Sequence, residues 1–168
     1  MAIDYNVLAA WSALTAAVIA IVALWIESRR SRFSLGIDLL LKLDHNFKTE
    51  RMCTARQTVA KAYQMNKSEN DIDEILDFFE MIGLLTHRGA LSDILVWHNF
   101  FYWIHGYYLL SRDYIKAAQS EDPTVWQNLV SLHKRLVAIE KRERRCTDSQ
   151  LQLTKEELTE FLNKELNA

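Results

Sequence analysis

Proline occurs once and glycine four times in 168 residues. A protein of many short strands needs far more turn formers than that, because hairpins depend on Gly, Asn and Pro at their tips. The scarcity points to long helices. Cysteine occurs twice, at Cys53 and Cys146, without metal spacing. Two free thiols in a reducing compartment are the expectation. The formal net charge is −2, so no global basic bias draws the chain to duplex nucleic acid. No G-x-x-x-x-G-K, G-x-G-x-x-G or G-x-S-x-G occurs. Glycine-loop phosphate binding and nucleophile-elbow hydrolysis therefore have no support.

Charge is also missing from one long stretch. Nothing ionisable in side-chain charge stands between Asp4 and Glu27, apart from the phenol of Tyr5. Within it, Val7 to Ile26 is apolar except for Ser12 and Thr15, with Trp11 and Trp25 near its ends. At ~1.5 Å per residue a helix of this length spans a hydrocarbon core of ~30 Å. A cleaved signal peptide carries its basic residues before the apolar run. Here Arg29, Arg30 and Arg32 follow it. The expectation is a single-pass anchor in the bacterial inner membrane. The positive-inside rule places the N-terminus outside and the C-terminal part in the cytoplasm. Ala9, Ala13, Ala16, Ala20 and Ala23 repeat at intervals of four and three. Such a small-residue face lets membrane helices approach closely, so self-association into a homo-oligomer is expected.

The remainder is long enough for one domain with its own core. The organisation read from the sequence is an anchor with its basic flank over 1–30, a cytoplasmic helical bundle over 31–145, and a linker with a short amphipathic helix over 146–168. The fold class is all-α, one transmembrane helix followed by a bundle of about five or six helices. Apolar residues recur at helical spacing at Phe33, Ile37, Leu40 and Leu41, and again at Met52, Ala55, Val59 and Tyr63. "NKSEN" reads as a loop, and Asp71 with Glu74 as a capping box. Gly89 is the expected stop of that helix, behind His87 and Arg88. Ser92 is expected to cap a helix reaching about Ala118. Asp122–Pro123 is expected to open the next, with Trp126, Leu129, Val130, His133, Leu136 and Val137 on one face. Thr154 and Glu157 form a second capping box, and Leu153 with Leu158 has staple spacing.

"ILVWHNFFYWIHGYYLL", Ile94 to Leu110, is apolar or aromatic nearly all round. Such a helix is central in a bundle or spans a membrane. His98, Asn99 and His105 would be costly in hydrocarbon, and the run is at the short limit for spanning, so a central helix is expected, with Gly106 admitting a close neighbour. Trp97, Trp103, Tyr107 and Tyr108 are the candidates for an interaction surface, against the plainer role of core packing. The stretch Leu76 to Ile115, with its F-F-E-x-I-G-x-L element and aromatic helix, resembles a helical family of unknown function in bacterial membrane-anchored proteins. "LLLKLDHNFKTERMCTARQTVAKAY" is similar to that family's preceding helix pair. The resemblance implies a fold and an anchor, and no catalytic residues.

Chemistry finds little footing. His98 and His105 share a helical face but stand ~10 Å apart along the axis, too far for one ion. No Glu-x-x-His pair exists for a di-iron bundle. No metal or cofactor is expected, and Asp77 with Glu80 reads as a solvated face rather than an acid pair. Candidates for binding a small anion are Arg51, Arg56, His87, Arg88, Lys134, Arg135 and Arg142. The basic run from Lys134 to Arg145 has a plainer reading as a solvated helix end, or as a segment resting on anionic headgroups. The leading expectation is thus a non-enzymatic membrane protein presenting a cytoplasmic module to a protein partner. The rival rests on architecture alone, which is similar to that of membrane effectors of CRISPR and other antiphage systems. That resemblance implies an anionic nucleotide messenger, such as a cyclic oligoadenylate, and disturbance of the membrane.

Overall fold

The computed structural model describes residues 5–65 and 72–167, with backbone alone for 5–13, Arg32 and Asp148. The loop expected at "NKSEN" and the Asp71 cap lie outside the described residues, as do the side chains of Ala9, Ala13 and Arg32. Six α-helices are found among the described residues, and no strand. They are α1 (Tyr5–Phe47), α2 (Glu50–Gln64), α3 (Ile72–His87), α4 (Asp93–Glu121), α5 (Gln127–Arg144) and α6 (Lys155–Leu166). A 3-10 turn, Asp148–Leu151, precedes α6.

The apolar stretch and the first bundle helix are one continuous element. No proline and only Gly36 interrupt α1, so nothing stops propagation over 43 residues, or ~65 Å. Its two halves behave differently. Every described side chain from Leu14 to Ser31 is exposed. From Gly36 the helix becomes amphipathic: Gly36, Leu40, Leu43 and Phe47 are buried at spacings of four and three. Among the described residues no helix is long and apolar enough to cross a membrane. The first part of the apolar run, Val7 to Ala13, is described by backbone only.

Phe47 ends α1 at the heart of the core. Its ring lies 5.2–5.8 Å from those of Phe78, Phe79, Phe100 and Trp103. The aromatic helix α4 runs through the middle, burying Val96, Phe100, Ile104, Tyr107, Ser111 and Ile115. Gly106 permits the close approach expected of it. A Cβ there would meet the Phe161 ring of α6 at 2.5–2.8 Å.

Some helix ends follow local chemistry, whereas Ser92 stands at the N-cap of α4 without the side-chain capping bond expected of it. Gly89 adopts φ +72, and the bonds Gly89 N–H→Thr86 O (3.0 Å) and Ala90 N–H→Leu85 O (2.9 Å) close α3 in a Schellman motif. Thr154 and Glu157 cap α6 reciprocally, at 3.2 and 2.8 Å. The start of α5 departs further. Asp122 caps only a turn, through Thr124, and the helix starts at Gln127. Trp126 takes a left-handed conformation, φ 48, which buries its ring and lets its Nε1–H donate to Asp77 at 2.8 Å. The expected start at Pro123 therefore moves by a turn, and α4 extends to Glu121.

Helix α5 lies along α3 in parallel. Asp77 meets Trp126, Glu80 accepts from the Asn128 and Leu129 backbone, and Thr86 meets Arg135. Contact is closest at Gly83, where a Cβ would lie 2.5 Å from the Asn128 carbonyl oxygen. Backbone cannot swing away as a side chain can. Gly83→Ala should therefore lose about 1–3 kcal/mol to overpacking despite its better helix propensity, read as a lower urea midpoint. An unchanged midpoint would mean that α3 and α5 slide apart without penalty.

Candidate functional site

Beside α4 lies a cleft of about 560 Å³, bounded by α4, the end of α5, the 3-10 turn and α6. Its aromatic walls are Trp97, Phe101, Tyr102, Trp103 and Phe161. Both tryptophans are held by buried acids. Trp97 donates Nε1–H to Glu140 at 2.6 Å, and Trp103 donates to Glu165 at 3.1 Å. With their polar edges satisfied inward, the rings have apolar faces left to line the cleft. The charged rim is mixed: Glu157 and Glu160 stand against Arg144 and Lys164, with the buried Glu140 behind them. That balance does not favour a polyanion.

Behind the cleft is a buried polar knot. Arg56 (4% exposed) donates Nε–H to Glu165 (2% exposed) at 2.7 Å and a second bond at 3.3 Å. Its guanidinium also lies 4.3 Å from the centre of the Phe47 ring. Burial opposes the Arg56 charge, but Glu165 more than offsets it, and the group ends above its ordinary range. Tyr107 donates its hydroxyl to the same carboxylate at 2.6 Å. Burial first, and then Glu165, holds that phenol well above its usual value, so it stays a donor. Three donors from α2 and α4 thus converge on one acid of α6.

A second polar cluster pairs α4 with α5. His105 Nε2 lies 2.8 Å from the Leu151 carbonyl, and His105 Nδ1 lies 2.9 Å from His133 Nε2. A carbonyl only accepts, so His105 carries its proton on Nε2 and accepts from His133 at Nδ1. Tyr108 stacks on His133 at 3.8 Å, and Phe101 on His105 at 5.1 Å. Burial lowers both histidines, His133 to about 3, with His105 adding to the effect on His133.

The sequence-derived candidates fare unevenly. Trp97 and Trp103 line the cleft, Tyr108 is half-buried against His133, and Tyr107 is 1% exposed. Tyr107 is thus core rather than interaction surface. The cationic candidates do not form one site. Arg56 is consumed by Glu165, and Arg51 pairs with Glu74 at 2.8 Å. Arg135 grips Asp93 at 2.9 and 3.3 Å, and Arg142 pairs with its neighbour Glu143. His87, Arg88 and Lys134 are exposed. Sequence reading missed the acids Glu140 and Glu165. Their signal was a carboxylate on an apolar helical face, beside Leu136 and Ile139 in one case and Phe161 and Leu162 in the other. Ala16, Ala20 and Ala23 are exposed on α1, as are Arg29 and Arg30. Cys53 and Cys146 are free thiols, both half-buried. Among the described residues no group of His, Cys, Asp and Glu is arranged to hold a metal ion.

No curated protein and no solved structure matches this chain. A family model does. The chain belongs to the family described as a domain of unknown function, DUF4760, whose model matches residues 10–136. The match takes in the apolar half of α1 and the bundle as far as the middle of α5, and leaves α6 outside.

Proposed function

We propose that this DUF4760 member is a single-pass inner-membrane protein that presents a non-enzymatic helical module to the cytoplasm, with its N-terminus outside. One observation carries the reading. The bundle leaves the apolar part of α1 without a partner: Leu14, Val18, Ile19, Ile21, Val22, Leu24, Trp25 and Ile26 are all 49–71% exposed. So large a contiguous apolar surface is not stable in water. Hydrocarbon is the solvent that suits it, and the uncharged stretch back to Tyr5 supplies the remaining length. Arg29 and Arg30 mark the cytoplasmic end, with the Arg29 guanidinium 4.4 Å from the Trp25 ring. The exposed alanines offer a face for self-association in the bilayer. The aromatic cleft supplies the surface for a protein partner, and its mixed rim makes an anionic nucleotide the weaker reading.

Carbonate extraction of membranes from cells expressing the full chain tests the anchor. The protein is expected to stay with the pellet, and a C-terminal reporter is expected to be active only on the cytoplasmic side. Recovery in the carbonate supernatant, or a periplasmic reporter, overturns the reading.

A further inference from the structure

The topology gathers basic residues from three separate parts of the sequence at one end of the bundle. Helix α1 first meets the bundle at Gly36, beside Ala90 of the α3–α4 turn. That turn carries His87 and Arg88, both exposed. Phe33 and Gly36 share a small groove with Ala90, Leu91, Ser92 and Leu95, so the start of α4 lies at the same level. Helix α5 runs antiparallel to α4: Trp126 meets Tyr114, His133 meets Tyr108, and Glu140 meets Trp97. Its last turn, with Lys141, Arg142, Arg144 and Arg145, therefore rises to the level where α1 enters.

Acids at this end, Asp38, Asp93, Glu140 and Glu143, are outnumbered by the cations and cancel only part of the charge. Glu140 is buried, and Asp93, Glu140 and Glu143 are each engaged by an arginine. Arg142 and Arg144 remain 66% and 71% exposed. Arg88 and Arg145 are exposed and make no ion pair among the described residues. The opposite end, around the start of α3 and the end of α4, is weighted to acid, with Asp73, Asp77, Asp113, Glu121 and Asp122 against Arg112 and Lys116. The bundle is therefore charge-polarised along its length.

Distance decides what the basic end meets. From Ile26 to Gly36 the helix rises ~15 Å, of which the headgroup layer takes ~5–8 Å. The remaining ~7–10 Å is comparable to the Debye length of about 8 Å at physiological salt. Given the anchor proposed above, the geometry points to a membrane-docking face: the α3–α4 turn and the end of α5 bind anionic phospholipid headgroups and set the bundle upright on the bilayer. The acidic end then faces the cytoplasm. Docking orients the aromatic cleft, whose rim includes Arg144, sideways along the membrane surface.

The test uses the full chain in vesicles of phosphatidylcholine, with and without phosphatidylglycerol. A fluorophore is placed by Ser92→Cys, with Cys53→Ser and Cys146→Ser removing the native thiols. The Ser92 side chain makes no capping bond, so its loss leaves α4 intact. Energy transfer to a headgroup-linked acceptor reports the height of the turn. Transfer is expected to be higher on the anionic vesicles and to fall to the neutral value in 1 M salt, where the Debye length is ~3 Å. Neutralising a basic residue near an anionic surface changes the docked-to-undocked ratio about fivefold. Arg88→Gln with Arg145→Asn should thus lower it about 25-fold, with thermal unfolding unchanged. Equal transfer on both vesicle types, or indifference to the double substitution, overturns the docking face while leaving the anchor intact. A chain that fails to float with neutral vesicles in high salt overturns both.

Discussion

Glu165→Ala should be the most damaging single substitution in the bundle, costing about 3–5 kcal/mol. The carboxylate it removes takes two bonds from Arg56, one from Tyr107 and one from Trp103. Arg56 would be left as an unpaired charge in a site only 4% exposed. The phenol and indole donors would lose their acceptor as well. Total stability for a domain of this size is ~5–15 kcal/mol, so the loss is a large share of it. Helix α6 is held to α2 and α4 mainly by Phe161, Leu162 and this acid. Its amides should therefore lose most of their hydrogen-exchange protection, ahead of those in α3 and α4. Replacing both partners, Arg56→Met with Glu165→Leu, should recover part of the stability, because no charge is then stranded although Tyr107 and Trp103 still lack their acceptor. A single substitution costing under about 1 kcal/mol, or a double no better than the single, would show that α6 is held by its apolar contacts alone.

This knot also shows where sequence reading stops. Local signals were legible because their cause is local. Gly89 closes α3 through bonds to residues only three to five positions back, and Thr154 with Glu157 caps α6 within four residues. The central place of α4 was legible because a helix apolar on most faces has nowhere else to go. The pairing of Arg56 with Glu165 joins residues 109 positions apart, and neither spacing nor composition encodes a partner at that range. A cation within the Met52–Ala55–Val59 stripe and an acid beside Phe161 and Leu162 each broke an apolar pattern. Those breaks flagged a buried charge without saying which opposite charge met it. The start of α5 was misplaced for a related reason. Asp122–Pro123 has the right local chemistry for a helix start, and it does form a turn. Burying Trp126 against Asp77 and Tyr114 is worth more than continuing the turn into the helix. Tertiary packing overrode the cap.

Acidification should unfold the bundle through its histidine pair, and His133→Phe should blunt that response. The folded pair is satisfied when neutral: His105 donates to Leu151 and accepts from His133. An added proton on His105 forces His133 to change tautomer, turning a donor that has a partner into one without. Charging both rings sets like charges against each other across 2.9 Å. The unfolded chain has neither penalty, and its histidines take protons near pH 6.5. Folded His133 resists down to about 3, because of burial first and then His105. A depressed basic group means that the unfolded state binds more protons throughout this window. Its contribution to stability is complete above about pH 6.5 and declines as pH falls toward 3. Between pH 7 and pH 5 the His133 share of the loss is about 2 kcal/mol, and His105, also lowered by burial, adds in the same direction. Phenylalanine keeps the ring that stacks on Tyr108 and takes no proton. The variant should be less stable at pH 7, since His105 Nδ1 loses its donor, yet lose less on going to pH 5. Urea midpoints of both proteins at the two pH values decide it. Equal losses for wild type and His133→Phe would place the acid sensitivity outside this histidine pair.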